Sequence, residues 1–307
     1  TGEKIAQLHA QSQGLNVIGE KNEYGYVLVE AFSNYDEDYN PKTDEEKAHA
    51  FELKRGYVKA SALKTVEVNQ EYGILIDKLT QRLYLFHNGE RVTEMLVATG
   101  LIQDGKYYCE TITGEYLTIS RTGGFYSGNM YCDMAIRING GTLLHEVLHD
   151  TAKDGTRIYT QYEAQLGMKA SHGCIRIQRR ANAQGQNMQW LWNNLENKTK
   201  VLIWDDQGRQ MYEPELPDGG LQLYRNPKGG SNYHVDANCP GVKEKYLPLT
   251  GDFTYGDLEK DEFKKLTPCS ACGAPVRPET LYERYVFEAN QIGAEVTDAV
   301  KAKFGIE

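Results

Sequence analysis

Along the first seventy residues, β-branched and aromatic side chains come in short runs broken by glycine, asparagine and clusters of charge. "GLNVIG", "YGYVLVEAF" and "KRGYVKASAL" each read as a strand, and the acidic "NYDEDYNPKTDEEK" reads as an exposed loop. From Tyr72 the runs lengthen. "GILIDKLTQRLYLFHNGERVTEMLVATG" predicts three strands, with Asn88-Gly89 closing a hairpin because both residues readily take positive φ. "TGEYLTIS" and "MAIRINGGTLLH" predict further strands, and the Gly- and Tyr-rich stretch 120–133 predicts a loop over a site. Met188, Leu191, Trp192 and Leu195 recur at helical spacing behind a candidate N-cap, Asn187, and "KVLIWDD" follows as a last strand. An acidic, Gly/Pro-rich linker comes next, and an amphipathic helix starts at about Pro278. The chain is therefore mainly β. A small barrel is expected over 1–70, a β-rich domain over 71–206, a linker over 207–220, and a small α+β module over 221–307.

Composition changes this picture little. Of the 307 residues, 40% are hydrophobic and 25% charged, an ordinary globular balance with room for more than one domain. A net charge of −9 without any Lys/Arg run excludes a nucleic-acid binder. The 21 tyrosines suit exposed strand surfaces. No apolar run reaches the ~20 residues of a membrane span. No signal peptide is visible at Thr1, and the abrupt start leads us to expect a signal or anchor upstream. Six cysteines are too few for a disulfide scaffold of this length.

Two short stretches carry chemistry. The first, His145-Glu146-Val147-Leu148-His149, spells H-E-x-x-H, in which one helical face offers two zinc ligands and a glutamate base. That reading needs a helix. Here the motif follows Gly140-Gly141 and a strand-like run, "DTAKDGTR" continues a helix poorly, and Glu163 is the one candidate for a distant third ligand.

The second stretch is Ser171-His172-Gly173-Cys174-Ile175-Arg176. Acyl transfer by cysteine needs a thiol that can become thiolate, an imidazole to take its proton, and backbone N–H groups facing the developing oxyanion. Ser171 and Gly173 keep that backbone accessible. His145, at the end of a strand, can supply the imidazole. Arg176 can meet a substrate carboxylate with two parallel hydrogen bonds. His172 can orient the thiol or its loop, and Tyr126 and Tyr131 can line the cleft.

Ser-His-Gly-Cys-Ile-Arg, preceded by a histidine at a strand end, resembles the L,D-transpeptidase catalytic domain (YkuD-like). The resemblance runs from about Tyr72 to Asp206 and includes the opening strands that end in Thr99-Gly100. It implies Cys174 as nucleophile, His145 as base, and Ser171, His172, Gly173 and Arg176 as the residues around them. It also implies an all-β catalytic fold, no metal for catalysis, peptidoglycan stem peptides as substrate, a thioester intermediate, and acylation by carbapenem-type inhibitors. Three features depart from the family pattern. Glu146 follows the base histidine where Gly or Ser is common, leaving the third catalytic partner open between Glu146, a backbone carbonyl and none. The interval from His145 to Ser171 is long, with His149 as the fallback base. Arg176 stands where several members have Asn. In residues 1–70, Gly56-Tyr57-Val58 with Leu63 resembles a bacterial SH3-type module.

The last segment offers a separate metal pattern. His234 and Cys239 (H-x4-C) precede Cys269 and Cys272 (C-x2-C), a set that suits a closed structural zinc site, and resembles a small zinc-binding module of secreted bacterial proteins. A Cys269–Cys272 disulfide is the rival. Cys109 and Cys132 are core residues or a pair. The sequence thus points to a peptidoglycan L,D-transpeptidase of the bacterial cell envelope, cross-linking the wall, with an SH3-like module and a zinc-stabilised tail. Carboxypeptidase action, a zinc peptidase using 145–149, and a non-catalytic wall-binding protein are the alternatives.

Overall fold

Apolar residues at every second position, in runs of six to nine, make long strands the dominant element of this chain. A computed structural model describes residues 2–9, 13–35, 51–103 and 106–306. Two compact units divide it, Thr1–Arg209 and Gln210–Glu307.

The first unit begins with β1 (Asn16–Lys21), β2 (Tyr26–Ser33) and β3 (Glu52–Lys59), which form a three-stranded antiparallel sheet. Most of the acidic insert lies outside the described residues, between β2 and β3. Gly14 N–H donates to the Glu115 carbonyl at 2.6 Å, tying this stretch to the strands that follow. Those are β4 (Asn69–Asp77), β5 (Arg82–His87), β6 (Glu90–Ala98), β7 (Gly114–Leu117), β8 (Ser120–Arg121), β9 (Phe125–Ser127), β10 (Met130–Cys132), β11 (Ala135–Arg137), β12 (Leu143–Glu146), β13 (Asp150–Thr151), β14 (Arg157–Ile158), α1 (Thr160–Glu163), β15 (Ile175–Ile177), α2 (Met188–Asn194) and β16 (Thr199–Trp204).

Nine of these strands make one sheet in the order β7-β16-β4-β5-β6-β15-β12-β11-β8. Most pairs are antiparallel; β16 with β4, and β12 with β15, run parallel. The predicted hairpin joins β5 to β6 with Asn88 and Gly89 at φ 49° and 86°. Alternation sends Ile74, Ile76, Leu83, Leu85, Met95, Val97, Val201 and Ile203 into a single core, where Met188 and Leu191 of α2 join them. Each such side chain, fully buried, stabilises the fold by ~1.5–3 kcal/mol relative to exposure. The Asn187 side chain accepts from Trp190 N–H at 2.9 Å, the cap that starts α2.

The stretch 120–133, expected as a loop, is not irregular. β9 and β10 pair across a turn at Gly128 (φ 61°), and the glycines that suggested a loop supply this turn and the close approach at Gly124.

In the second unit, β17 (Gln222–Arg225) pairs antiparallel with β19 (Thr250–Thr254), and β18 (Asn232–Tyr233) pairs parallel with β20 (Thr267–Pro268). α3 (Pro278–Ile292) follows, with Pro at its start and Gly293 (φ 66°) at its end, and then α4 (Asp298–Lys303). Leu223, Tyr233, Phe253, Leu258 and Phe263 form this unit's core. Among the described residues, no helix is long and apolar enough to cross a membrane.

Candidate active site

Parallel pairing of β12 with β15 brings the two sequence motifs together. His145 is the register partner of Arg176, and Leu144 that of Ile175. His145 and Arg176, as register partners, share one face of the sheet, and Cys174 lies just ahead of β15, in the bend that leads into it. Leu143-Leu144 is fully apolar because this strand is buried on both sides, and His145 is itself 3% exposed.

The His145 ring is fixed. Its Nδ1 lies 2.6 Å from the carbonyl oxygen of Glu146, which can only accept, so Nδ1 carries the proton and donates it there. Nε2 is left with its lone pair, the form a base requires. Phe125 meets the ring edge-on at 5.3 Å, and the Cys132 sulfur lies 3.6 Å from Nδ1. Burial, reinforced by the Arg176 charge, holds the imidazole well below its ordinary value, at about 4, against the opposing pull of the Glu146 carbonyl. Of the three options the sequence left open for a partner of His145, the contact present is the backbone carbonyl of residue 146. The Glu146 carboxyl is the next side chain along the strand, and burial together with Asp133 pushes it up to about 7.

Cys174 is half-buried, and its thiol donates to the Gly141 carbonyl at 3.5 Å. Burial raises this thiol, while Leu143 backbone, Arg176 and Arg137 oppose that rise only in part. The loop before it is held at both ends. Ser171 N–H donates to Thr99 O at 2.9 Å, Leu101 N–H donates to Ser171 O at 3.0 Å, and the Ser171 hydroxyl donates to Cys174 O. Gly173 stands at φ 104°, and a Cβ there would lie 3.3 Å from Tyr108 O, so glycine is required. The buried Thr111 hydroxyl accepts from Gly100 N–H at 2.7 Å and donates to Gly173 O at 3.0 Å, joining the two loops that flank the thiol. Arg176 is 6% exposed; one guanidinium nitrogen donates to Gln165 Oε1 at 2.5 Å, while Nε has no hydrogen-bond partner among the described residues.

The remaining candidates differ in exposure and partners. His172 is exposed. Tyr126 is 75% exposed and packs on Tyr131 with ring centroids 4.8 Å apart. His149, the fallback base, is packed between Tyr131 and Tyr159, and its Nε2 lies 3.4 Å from Asp133. The zinc-peptidase alternative is corrected here: residues 143–146 are a strand and His149 sits on an isolated bridge, so no helical face presents the two histidines together. The possible third ligand, Glu163, is paired with Arg179 at 3.0 Å.

A buried ion network lies beside the loop. Lys78 Nζ, wholly buried, meets Glu110 at 2.6 Å and Asp205 at 2.7 Å, and Lys169 Nζ meets Asp206 at 2.7 Å. Glu110, Asp205 and Asp206 are close enough together to hold a cation, and the Lys78 ammonium is that cation. Neither this network nor the roles of Thr111, Gly141 and Cys132 has a local signal in the sequence; each depends on contacts between distant segments. In the second unit, the ligand atoms of His234, Cys239, Cys269 and Cys272 all lie within 4.8 Å of one another, and all four residues are buried or nearly so. Cys109 and Cys132 are both free and buried, not paired with each other.

Comparison with known proteins finds similarity over the same stretch of chain. Residues 71–203 match the model of the YkuD family, the L,D-transpeptidase catalytic domain. YciB of Bacillus subtilis (strain 168), named as a candidate L,D-transpeptidase, is 30% identical over 130 residues, covering 40% of this chain and 60% of YciB. The chain thus spans less than two thirds of that relative. Among solved structures, the L,D-transpeptidase of Stackebrandtia nassauensis is similar at 20% identity, covering 47% of this chain and 60% of that one, with a TM-score of 0.32. An L,D-transpeptidase from Mycobacterium smegmatis is similar at 13% identity, covering 64% of this chain and 98% of that one, with a TM-score of 0.33.

Proposed function

We propose that the chain, whose residues 71–203 match the L,D-transpeptidase catalytic domain, transfers acyl groups between peptidoglycan stem peptides through a thioester on Cys174. The observation that carries this reading is the His145 imidazole, held by Glu146 O so that Nε2 keeps its lone pair, with the Arg176 charge acting on both this ring and the Cys174 thiol. Nε2 takes the thiol proton as sulfur attacks the carbonyl carbon of the L-residue. Backbone N–H groups at Gly173-Cys174 are the candidate donors to the oxyanion that forms. The C–N bond then breaks, the leaving amine takes the proton from the imidazolium, and the acyl group stays on sulfur. An acceptor amine next gives its proton to His145, attacks the thioester and releases Cys174 with a new amide. Water in place of the amine yields a shortened peptide instead. Arg176 is the candidate to hold a substrate carboxylate, a role that requires its buried, unpaired Nε to become accessible when substrate binds. Peptidoglycan as substrate implies work at the cell envelope, and Tyr24, Leu53 and Tyr57, exposed on and beside the β1–β3 sheet, would serve wall contact.

The test is product analysis by mass spectrometry on defined muropeptides with the full chain. A cross-linked dimer that disappears in Cys174→Ala supports transpeptidation; a shortened peptide alone turns the reading to carboxypeptidase action. Intact mass after carbapenem treatment should show one adduct on Cys174. Absence of both product and adduct would leave a wall-binding protein.

A further inference from the structure

We propose that His234 Nδ1 and the sulfurs of Cys239, Cys269 and Cys272 hold one zinc ion that closes the second unit. The spacing of the donor atoms carries this, beyond what sequence spacing alone allows. Around a tetrahedral zinc with Zn–S of ~2.3 Å and Zn–N of ~2.0–2.1 Å, two sulfurs lie about 3.8 Å apart and a sulfur and a nitrogen about 3.6 Å apart. The Cys239 and Cys269 sulfurs are 3.7 Å apart, and the Cys272 sulfur is 3.7 Å from His234 Nδ1. A disulfide would require two sulfurs at ~2.05 Å, and all three cysteines are free.

The backbone is shaped for the same end. Cys239 begins a tight turn in which Val242 N–H returns to Cys239 O at 3.0 Å, and Gly241 N–H points at the Cys239 sulfur at 3.4 Å. Cys269 begins a second turn, with Ala274 N–H on Cys269 O at 3.1 Å and Gly273 at φ 67°. A Cβ on Gly241 would lie 2.5 Å from Ala271 Cβ and 3.6 Å from both the Cys239 and Cys269 sulfurs, so the two turns meet over the donors and only glycine fits between them. His234 is held from behind by paired backbone hydrogen bonds to Tyr224, each 2.8 Å.

With four protein ligands the ion has no open position, so its role is structural, not catalytic. The donors lie within 39 residues whose strands are two to five residues long, a segment with little regular structure to hold its own core. The proposal is independent of the thiol chemistry in the first unit.

The test is metal content of the full chain, purified without a metal-chelating tag. We expect one zinc per chain, falling at least tenfold in Cys239→Ala and in Cys272→Ala and unchanged in Cys174→Ala. Because the ligand variants can fail to fold, a second measurement uses the wild-type chain. After chelation under reducing conditions, cobalt(II) should bind at one equivalent with the intense visible bands and sulfur-to-metal charge transfer of a tetrahedral thiolate site, and zinc should displace it. A chain without zinc that takes up no metal when reduced, a cobalt spectrum of octahedral oxygen coordination, or zinc undiminished by either ligand substitution would each overturn the proposal.

Discussion

The resting state of the catalytic pair is the sharpest consequence of the geometry. His145 titrates at about 4 because burial disfavours the imidazolium, and burial also disfavours the Cys174 thiolate. Even an unperturbed thiol, at ~8.5, would lie about 4.5 units above this imidazole, and at 1.36 kcal/mol per unit the proton transfer costs ~6 kcal/mol. The pair therefore rests as neutral thiol and neutral imidazole, and in the proposed mechanism thiolate forms only together with attack on the carbonyl. The perturbation is His145→Ala, and the assay is Cys174 alkylation by iodoacetamide against pH, read by intact mass, beside acylation by a carbapenem. Alkylation by a small electrophile follows the thiolate fraction and should rise about tenfold per pH unit between 6 and 8, in wild type and variant alike. Acylation, which needs the base, should fall by ~10²–10⁴ in the variant. An alkylation inflection below pH 7 in the wild type, lost in His145→Ala, would reveal a thiolate–imidazolium ion pair and refute the reasoning.

Thr111→Val removes the hydroxyl between Gly100 N–H and Gly173 O, leaving two buried backbone groups unmatched. At ~1–3 kcal/mol each, we expect a stability loss of ~2–6 kcal/mol by denaturant titration and a fall in kcat larger than any change in KM. Glu146→Gln tests the buried acid. Its carboxyl is raised from 4.5 to about 7, so the contribution of the protonated form is complete below 4.5 and is lost as pH rises through 7. The variant should therefore be more stable than wild type at pH 8, by up to ~3 kcal/mol, and equal to it at pH 4, when Tm is compared across that range. Arg176→Lys keeps the charge but loses the planar fork; KM for stems ending in a free carboxylate should rise about tenfold, ~1.4 kcal/mol, with little change for amidated stems.

Local signals were enough for much of this protein. The alternation in "GILIDKLTQRLYLF" and the Asn88-Gly89 turn fix β4 to β6, and Asn187 marks the start of α2, because backbone preference and side-chain period act within a few residues. Ser171 to Arg176 marked Cys174 as the candidate nucleophile through the motif's resemblance, and the loop it forms requires glycine at 173. Where glycine density was read as a loop over a site, at 120–133, the turn it serves is a hairpin turn, and only the partner strand reveals that.

What the chain alone could not decide was pairing. His145 reads as the preferred base, with His149 the fallback and a helix-borne zinc pair the lesser alternative; the parallel alignment of β12 with β15 set His145 against Arg176, and His149 faces Asp133. The Glu146 carbonyl, Thr111 and the buried Lys78 became part of the site in the same way, since their partners lie between one and 127 positions distant. Residue type and spacing determine which chemistry this protein can attempt. The energy that selects one tautomer, one base and one neutral resting pair comes from burial and long-range register, which exist only once the sheet has closed.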